Sequence, residues 1–219
     1  MRHAAILMFV CVSVLLVGCA QQRAVSIVRR DADRSAHREQ FDAALMDYQE
    51  VVDRDPSDWV YRLKLADTLV TLKRFDAAIE HYAVVLGVRP DDRAVIEKYT
   101  NAMYQAGRHD RLISYLTHRA KDTGAVADYL QLGWYSAKVG DADLAQRALL
   151  TAARLDHGAS VAPYLALADF YNAAGDHDAA LRQLRIATGI DPANTTVQEK
   201  IRAMGEIPGP SFALTPDEN

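Results

Sequence analysis

The sequence predicts an all-α chain built from about five tandem pairs of antiparallel helices, and three observations carry that prediction. The block QFDAALMDYQEVVDRDP, ending at Pro56, returns as RFDAAIEHYAVVLGVRP, ending at Pro90, a period of 34 residues. With that ruler the eighth position of successive blocks is Ala32, Ala66, Thr100, Gly133 and Ala168, all small. The twentieth is Ala44, Ala78, Leu112, Ala145 and Ala180, and four residues on stand the bulky Tyr48, Tyr82, Leu116, Leu149 and Leu184. Two helices approach closely only where small residues of one accept large ones of the other. The eighteenth position is Asp in every block: Asp42, Asp76, Asp110, Asp143 and Asp178. An acid in the first turn faces the positive end of the helix dipole, so each second helix should begin just before it.

Composition bounds what such a chain does. Its 219 residues are 50% hydrophobic, 25% charged and 8% aromatic, the balance of a folded globular protein. A net charge of -4 and a pI near 6.0 provide no excess positive field for a phosphate backbone, which argues against a nucleic-acid partner. Cys11 and Cys19 are the only cysteines, so neither a disulfide framework nor a multi-cysteine zinc site is available.

Taken in order, residues 1–18 read as a signal peptide: Arg2, an apolar run from Ala4 to Val12, then Val14 to Val17. The run is short for a membrane-spanning helix, which needs about 20 apolar residues. Leu16, Val17, Gly18 and Cys19 resemble the bacterial lipobox, whose cysteine is acylated and becomes the new N-terminus. The resemblance implies lipidation at Cys19, a chain held to the membrane by acyl groups, and a short linker over 19–24. Ala20 in place of an aspartate then suggests the outer membrane, facing the periplasm. The alternative for the same residues is an ordinary secretory signal or a membrane anchor with an incidental cysteine. Arg23, Arg29, Arg30, Arg34 and Arg38 follow, read here as a solvated helix face rather than a head-group contact.

Repeats are expected over 25–58, 59–92, 93–125, 126–160 and 161–194, with Gly107, Gly140 and Gly175 turning the chain between the helices of the last three. The pattern resembles the tetratricopeptide repeat. That resemblance implies a right-handed superhelical solenoid with a C-terminal capping helix. Repeat one has Glu39 at the turn, and repeat three is the weakest match, with Thr100, Leu112 and a charged Arg119 where its neighbours have small or apolar residues. The cap helix is expected over 195–204, opened by Thr195 and Gln198 at capping-box spacing. Residues 205–219, with Pro208, Pro210 and Pro216, read as a disordered tail.

No chemistry of an enzyme is spelled out. The seven histidines form no paired metal-binding spacing, and no metal or cofactor is expected. His109 and His177 stand at the seventeenth position, where Phe41 and Phe75 occur, and should fill the edge of the interhelix contact. The repeat resemblance places a binding groove on the first helices, at Leu63, Asp67, Thr71, Asn101, Tyr104, Gln105, Leu130, Trp134, Lys138, Asp169 and Asn172. Tyr104 and Trp134 are expected to centre it. The familiar carboxylate clamp is absent, since Glu97, Gln131, Ala162 and Ala166 occupy its positions beside Asn101. Resemblance to periplasmic repeat lipoproteins, such as pilotins, implies a scaffold for an envelope protein of pilus, secretion, outer-membrane or cell-wall machinery. The alternative is a binder of an envelope polymer such as peptidoglycan.

Overall fold

The computed structural model describes residues 23–215. The expected signal peptide, Cys19 and the linker up to residue 22 lie outside the described residues, as do residues 216–219. Among the described residues there is no strand, and no helix is long and apolar enough to cross a membrane.

Eleven α-helices follow one another among the described residues: α1 Val25–His37, α2 Phe41–Arg54, α3 Trp59–Thr71, α4 Phe75–Val88, α5 Arg93–Gln105, α6 His109–Thr123, α7 Val126–Lys138, α8 Ala142–Asp156, α9 Ala162–Ala173, α10 His177–Ile190 and α11 Thr195–Ala203. Odd-numbered helices up to α9 are the first, or A, helix of a repeat, and even-numbered ones the second, or B, helix. Every B helix begins one residue before its eighteenth-position Asp, which therefore sits in the first turn. The described residues divide into two compact units, one up to residue 107 and one from residue 108 on, parted at the turn of repeat three.

The eighth, twentieth and twenty-fourth positions are all buried, as helix-pair packing requires. Gly133 shows how close the approach is: a Cβ there would lie 2.5 Å from Cδ2 of Leu149 and 3.3 Å from the Ala145 carbonyl oxygen. Thr100 fits the small slot because its hydroxyl donates back to Ile96 O at 2.9 Å, leaving only its methyl to pack. The turn needs a left-handed residue, which Gly107, Gly140 and Gly175 supply at φ of 68°, 88° and 80°. Glu39 and Lys73 adopt the same geometry at 59° and 57°, at a steric cost of about 1–2 kcal/mol each.

Several expectations are corrected. Arg119 is no packing fault of repeat three: its Nε lies 3.2 Å from Oδ1 of Asp128, a carboxylate 1% exposed that also accepts from Thr123 Oγ1 at 2.6 Å. This buried pair ties α6 to α7. Helix α11 is capped by Asn194, whose Oδ1 accepts from Val197 N at 3.2 Å, while Thr195 already lies inside the helix and Gln198 donates to Pro192 O. Asp58, Asp92, Asp141 and Asp176 cap α3, α5, α8 and α10 in the same way. His109 and His177 are exposed, and His177 Nδ1 sits 3.0 Å from Asn172 Oδ1 instead of filling a helix contact.

The tail departs most from expectation. Residues 210–212 form a 3-10 turn, and Phe212 and Leu214 pack against the terminal core of Tyr164, Leu184, Ile186, Val197 and Ile201. Apolar side chains spaced two apart find an uncovered helix edge there, which outweighs the loop-forming prolines. Four of the N-terminal arginines meet carboxylates, Arg30 and Arg34 reaching Asp31 at 3.8 and 3.2 Å. Arg23 meets Asp47 and Glu50, both at 2.6 Å, and Arg29 meets Asp55 at 3.0 Å and Asp58 at 2.7 Å.

Candidate functional site

The A helices carry ion pairs between the ninth position of one repeat and the sixth of the next. Asp33 accepts from Lys64 Nζ at 2.7 Å, and Asp67 from Lys98 Nζ at 2.6 Å. Asp169 pairs with Lys200 on α11, which continues the A-helix register. The first two aspartates also hold buried tyrosines, Tyr48 OH at 2.8 Å from Asp33 and Tyr82 OH at 2.7 Å from Asp67. Burial pushes the Asp33 carboxyl upward, but hydrogen bonds from Lys64 and Tyr48 outweigh this and hold it below the usual carboxylate range. Burial and the Asp67 acceptor push the Tyr82 hydroxyl well above a phenol's ordinary value. Half-exposed pairs of this kind contribute at most about 1 kcal/mol each, so their main effect is to occupy the face.

One rung within the second unit is replaced. Repeat four has Trp134 at the ninth position and repeat five has Ala166 at the sixth, so an indole and a methyl stand where Asp meets Lys at three other rungs. The exchange opens a cleft of about 460 Å³ between α7 and α9. Its floor is Gly133 and Leu149, its walls are Ala137, Ala166, Phe170 and Ala173, and Lys138 and Asp169 stand at its edge. Trp134 is 51% exposed, packs edge-on to Tyr135 at 4.6 Å and lies beneath Lys138 Nζ at 4.2 Å. A large side chain so exposed, braced from one side by a ring and from another by a cation, presents a preformed apolar surface. Apolar concavities with a few polar groups at the edge are the usual form of a binding site.

Three of the sequence-based groove residues, Trp134, Lys138 and Asp169, thus line one cleft. Leu130 is half-buried on α7, and Asn172 is exposed at the end of α9. Asp67 is consumed by Tyr82 and Lys98, and Thr71 donates to Asp67 O at 3.1 Å, so both belong to the first unit's architecture. Leu63 and Tyr104 are half-buried, and Asn101 and Gln105 exposed, on α3 and α5. Tyr104 belongs to the first unit and Trp134 to the second. The aromatic that Trp134 shares its cleft with is Phe170, which the groove positions alone did not single out. Its signal was the small Ala166 at a position held by lysine in repeats two and three.

This arrangement of paired helices agrees with comparisons to known proteins. Residues 36–102 match the tetratricopeptide repeat family. Among curated proteins none matches. Solved structures share the fold over most of both chains. A crystal structure of MamA superposes with a TM-score of 0.56 at 20% identity, covering 88% of this chain and 98% of its own. A thermophilic tetratricopeptide protein of Thermus thermophilus gives 0.52 at 21%, covering 83% and 98%. YrrB, described as a tetratricopeptide protein with an unusual peptide-binding site, gives 0.51 at 15%, covering 78% and 88%. At these identities the likeness is one of fold. The chain is therefore an all-α array of tetratricopeptide-type helix pairs, five among the described residues, with α11 as a closing helix.

Proposed function

We propose that the protein is a docking scaffold of the bacterial cell envelope, anchored through lipid at Cys19, and that the cleft between α7 and α9 receives its protein partner. The observation that carries the docking site is the substitution of the ion-pair rung by Trp134 and Ala166, which leaves an apolar cleft at a register that charges close in other repeats. The peptide site named for YrrB supports a peptide as occupant of this fold. The anchoring part rests on the lipobox-like Leu16 to Cys19, and the outer-membrane, periplasm-facing location on Ala20.

The test is crosslinked capture from membranes with wild type, Trp134→Ala and Phe170→Ala, beside melting curves of each. Truncating a central aromatic of a docking site commonly costs about 2 kcal/mol, roughly a 30-fold loss of affinity. Capture should fall while the melting temperature shifts little, because Trp134 is half-exposed. A large melting shift with capture unchanged per folded molecule assigns the rings to structure. Sedimentation of the protein with purified sacculi in place of protein capture points to the polymer. Labelling with a fatty-acid analogue should fail in Cys19→Ala, and equal label in both would remove the anchor.

A further inference from the structure

The outer edge of α10, apart from the α7–α9 cleft, is covered by the chain's own tail. The chain leaves α11 through residues 205–209, which include Gly205, Pro208 and Gly209, and returns across α10. There Leu214 N donates to Arg185 O at 3.0 Å, and Arg185 Nε donates to Phe212 O at 2.9 Å. The Arg185 guanidinium also lies 5.4 Å from the centre of the Phe212 ring. Both apolar side chains reach the terminal core. Such contacts hold a short peptide segment on a helix face: one main-chain hydrogen bond and one from the Arg185 side chain fix its register, and two apolar side chains two residues apart select its sequence.

Gly189 supplies the second, independent sign. It lies inside α10, where glycine is less favourable than alanine, and its φ is an ordinary helical one. A Cβ there would stand 2.2 Å from the Leu214 carbonyl oxygen and 3.2 Å from its carbon. The helix surface is thus bare at the place where the tail's main chain crosses it.

We infer that the face of α10 from Arg185 to Gly189 is a peptide site for a short segment of the type Phe-x-Leu, occupied in cis by residues 212–214, which leave the 3-10 turn at Phe212. A tether as short as 205–209 holds this segment at an effective concentration on the order of millimolar. A free peptide of the same sequence, the tail of a second copy, enters only when the cis segment is released. The site is then a gated one, and whatever draws the tail away exposes it.

The experiment uses the full chain. A fluorescent peptide of residues 206–215 is titrated into wild type, into Phe212→Ala with Leu214→Ala, and into that double variant carrying Gly189→Ala. Saturable binding is expected to the double variant, much weaker binding to wild type, and none once the alanine at 189 is added. Failure to bind a double variant whose helicity and melting match wild type overturns the proposal, as does binding indifferent to Gly189→Ala. Hydrogen exchange gives a readout that needs no added peptide. In the single variant Gly189→Ala, the Leu214 amide should lose its protection while the amides of α8 and α9 keep theirs. Unchanged protection at Leu214 also overturns it.

Discussion

Replacing Arg119 by alanine is expected to destabilise the second unit by roughly 3–5 kcal/mol, more than any surface change on the chain. Asp128 has a side chain only 1% exposed, and Arg119, at 11%, brings its guanidinium to within 3.2 Å of the carboxylate. Removing the guanidinium leaves a carboxylate with Thr123 still donating at 2.6 Å but without this counter-charge in a dry site. The penalty measures that loss of compensation and not the worth of the pair itself, since taking both charges out of water was costly in the first place. The double variant Arg119→Met with Asp128→Leu should therefore recover most of the loss. Urea titrations of wild type and the two variants decide it. A loss under about 1 kcal/mol for Arg119→Ala would show that water reaches Asp128.

Leu149→Ala should cost about 2–5 kcal/mol, the range for emptying a buried leucine site. The informative measurement is its coupling to Gly133→Ala. In the native background the new Cβ meets Leu149 Cδ2 at 2.5 Å and Cγ at 2.6 Å, so overpacking of about 1–3 kcal/mol opposes a helix-propensity gain of about 1 kcal/mol. With Leu149 truncated that clash is gone, and only the Ala145 carbonyl oxygen at 3.3 Å remains close. Gly133→Ala should then be neutral or stabilising. A double-mutant cycle with coupling above about 1 kcal/mol is expected, and simple additivity would mean that Leu149 yields by changing rotamer.

Both predictions begin from residues that the period of 34 placed in register, and they show what such a register conveys. Positions eight, twenty and twenty-four are a statement about the distance between two helices joined by a short turn. That distance is local, and Ala78, Tyr82 and Gly133 declare it in the sequence. The eighteenth-position aspartates likewise located every B helix to within a residue, because the dipole they answer is a property of one helix end. Arg119 was misread for the complementary reason. Taken alone it is a charge in an apolar slot, and its partner Asp128 lies across a turn on the next helix.

The site was legible in part on the same grounds. Trp134, Lys138 and Asp169 sit at groove positions of the repeat, and all three line the cleft. Phe170 and Ala166 were not picked out, although the alternation of Asp and Lys along the A helices already marked where the pattern of pairs breaks. The sequence by itself determined the helix pairs, their boundaries and their packing faces, because each is written in spacings no longer than one repeat. Only the tertiary structure decided that Arg119 answers Asp128, that Trp134 opens a cleft with Phe170, and that the proline-bearing tail turns back onto α10. Those outcomes depend on which surfaces remain uncovered once the helices have packed, and that is a property of the assembled fold rather than of any one stretch of chain.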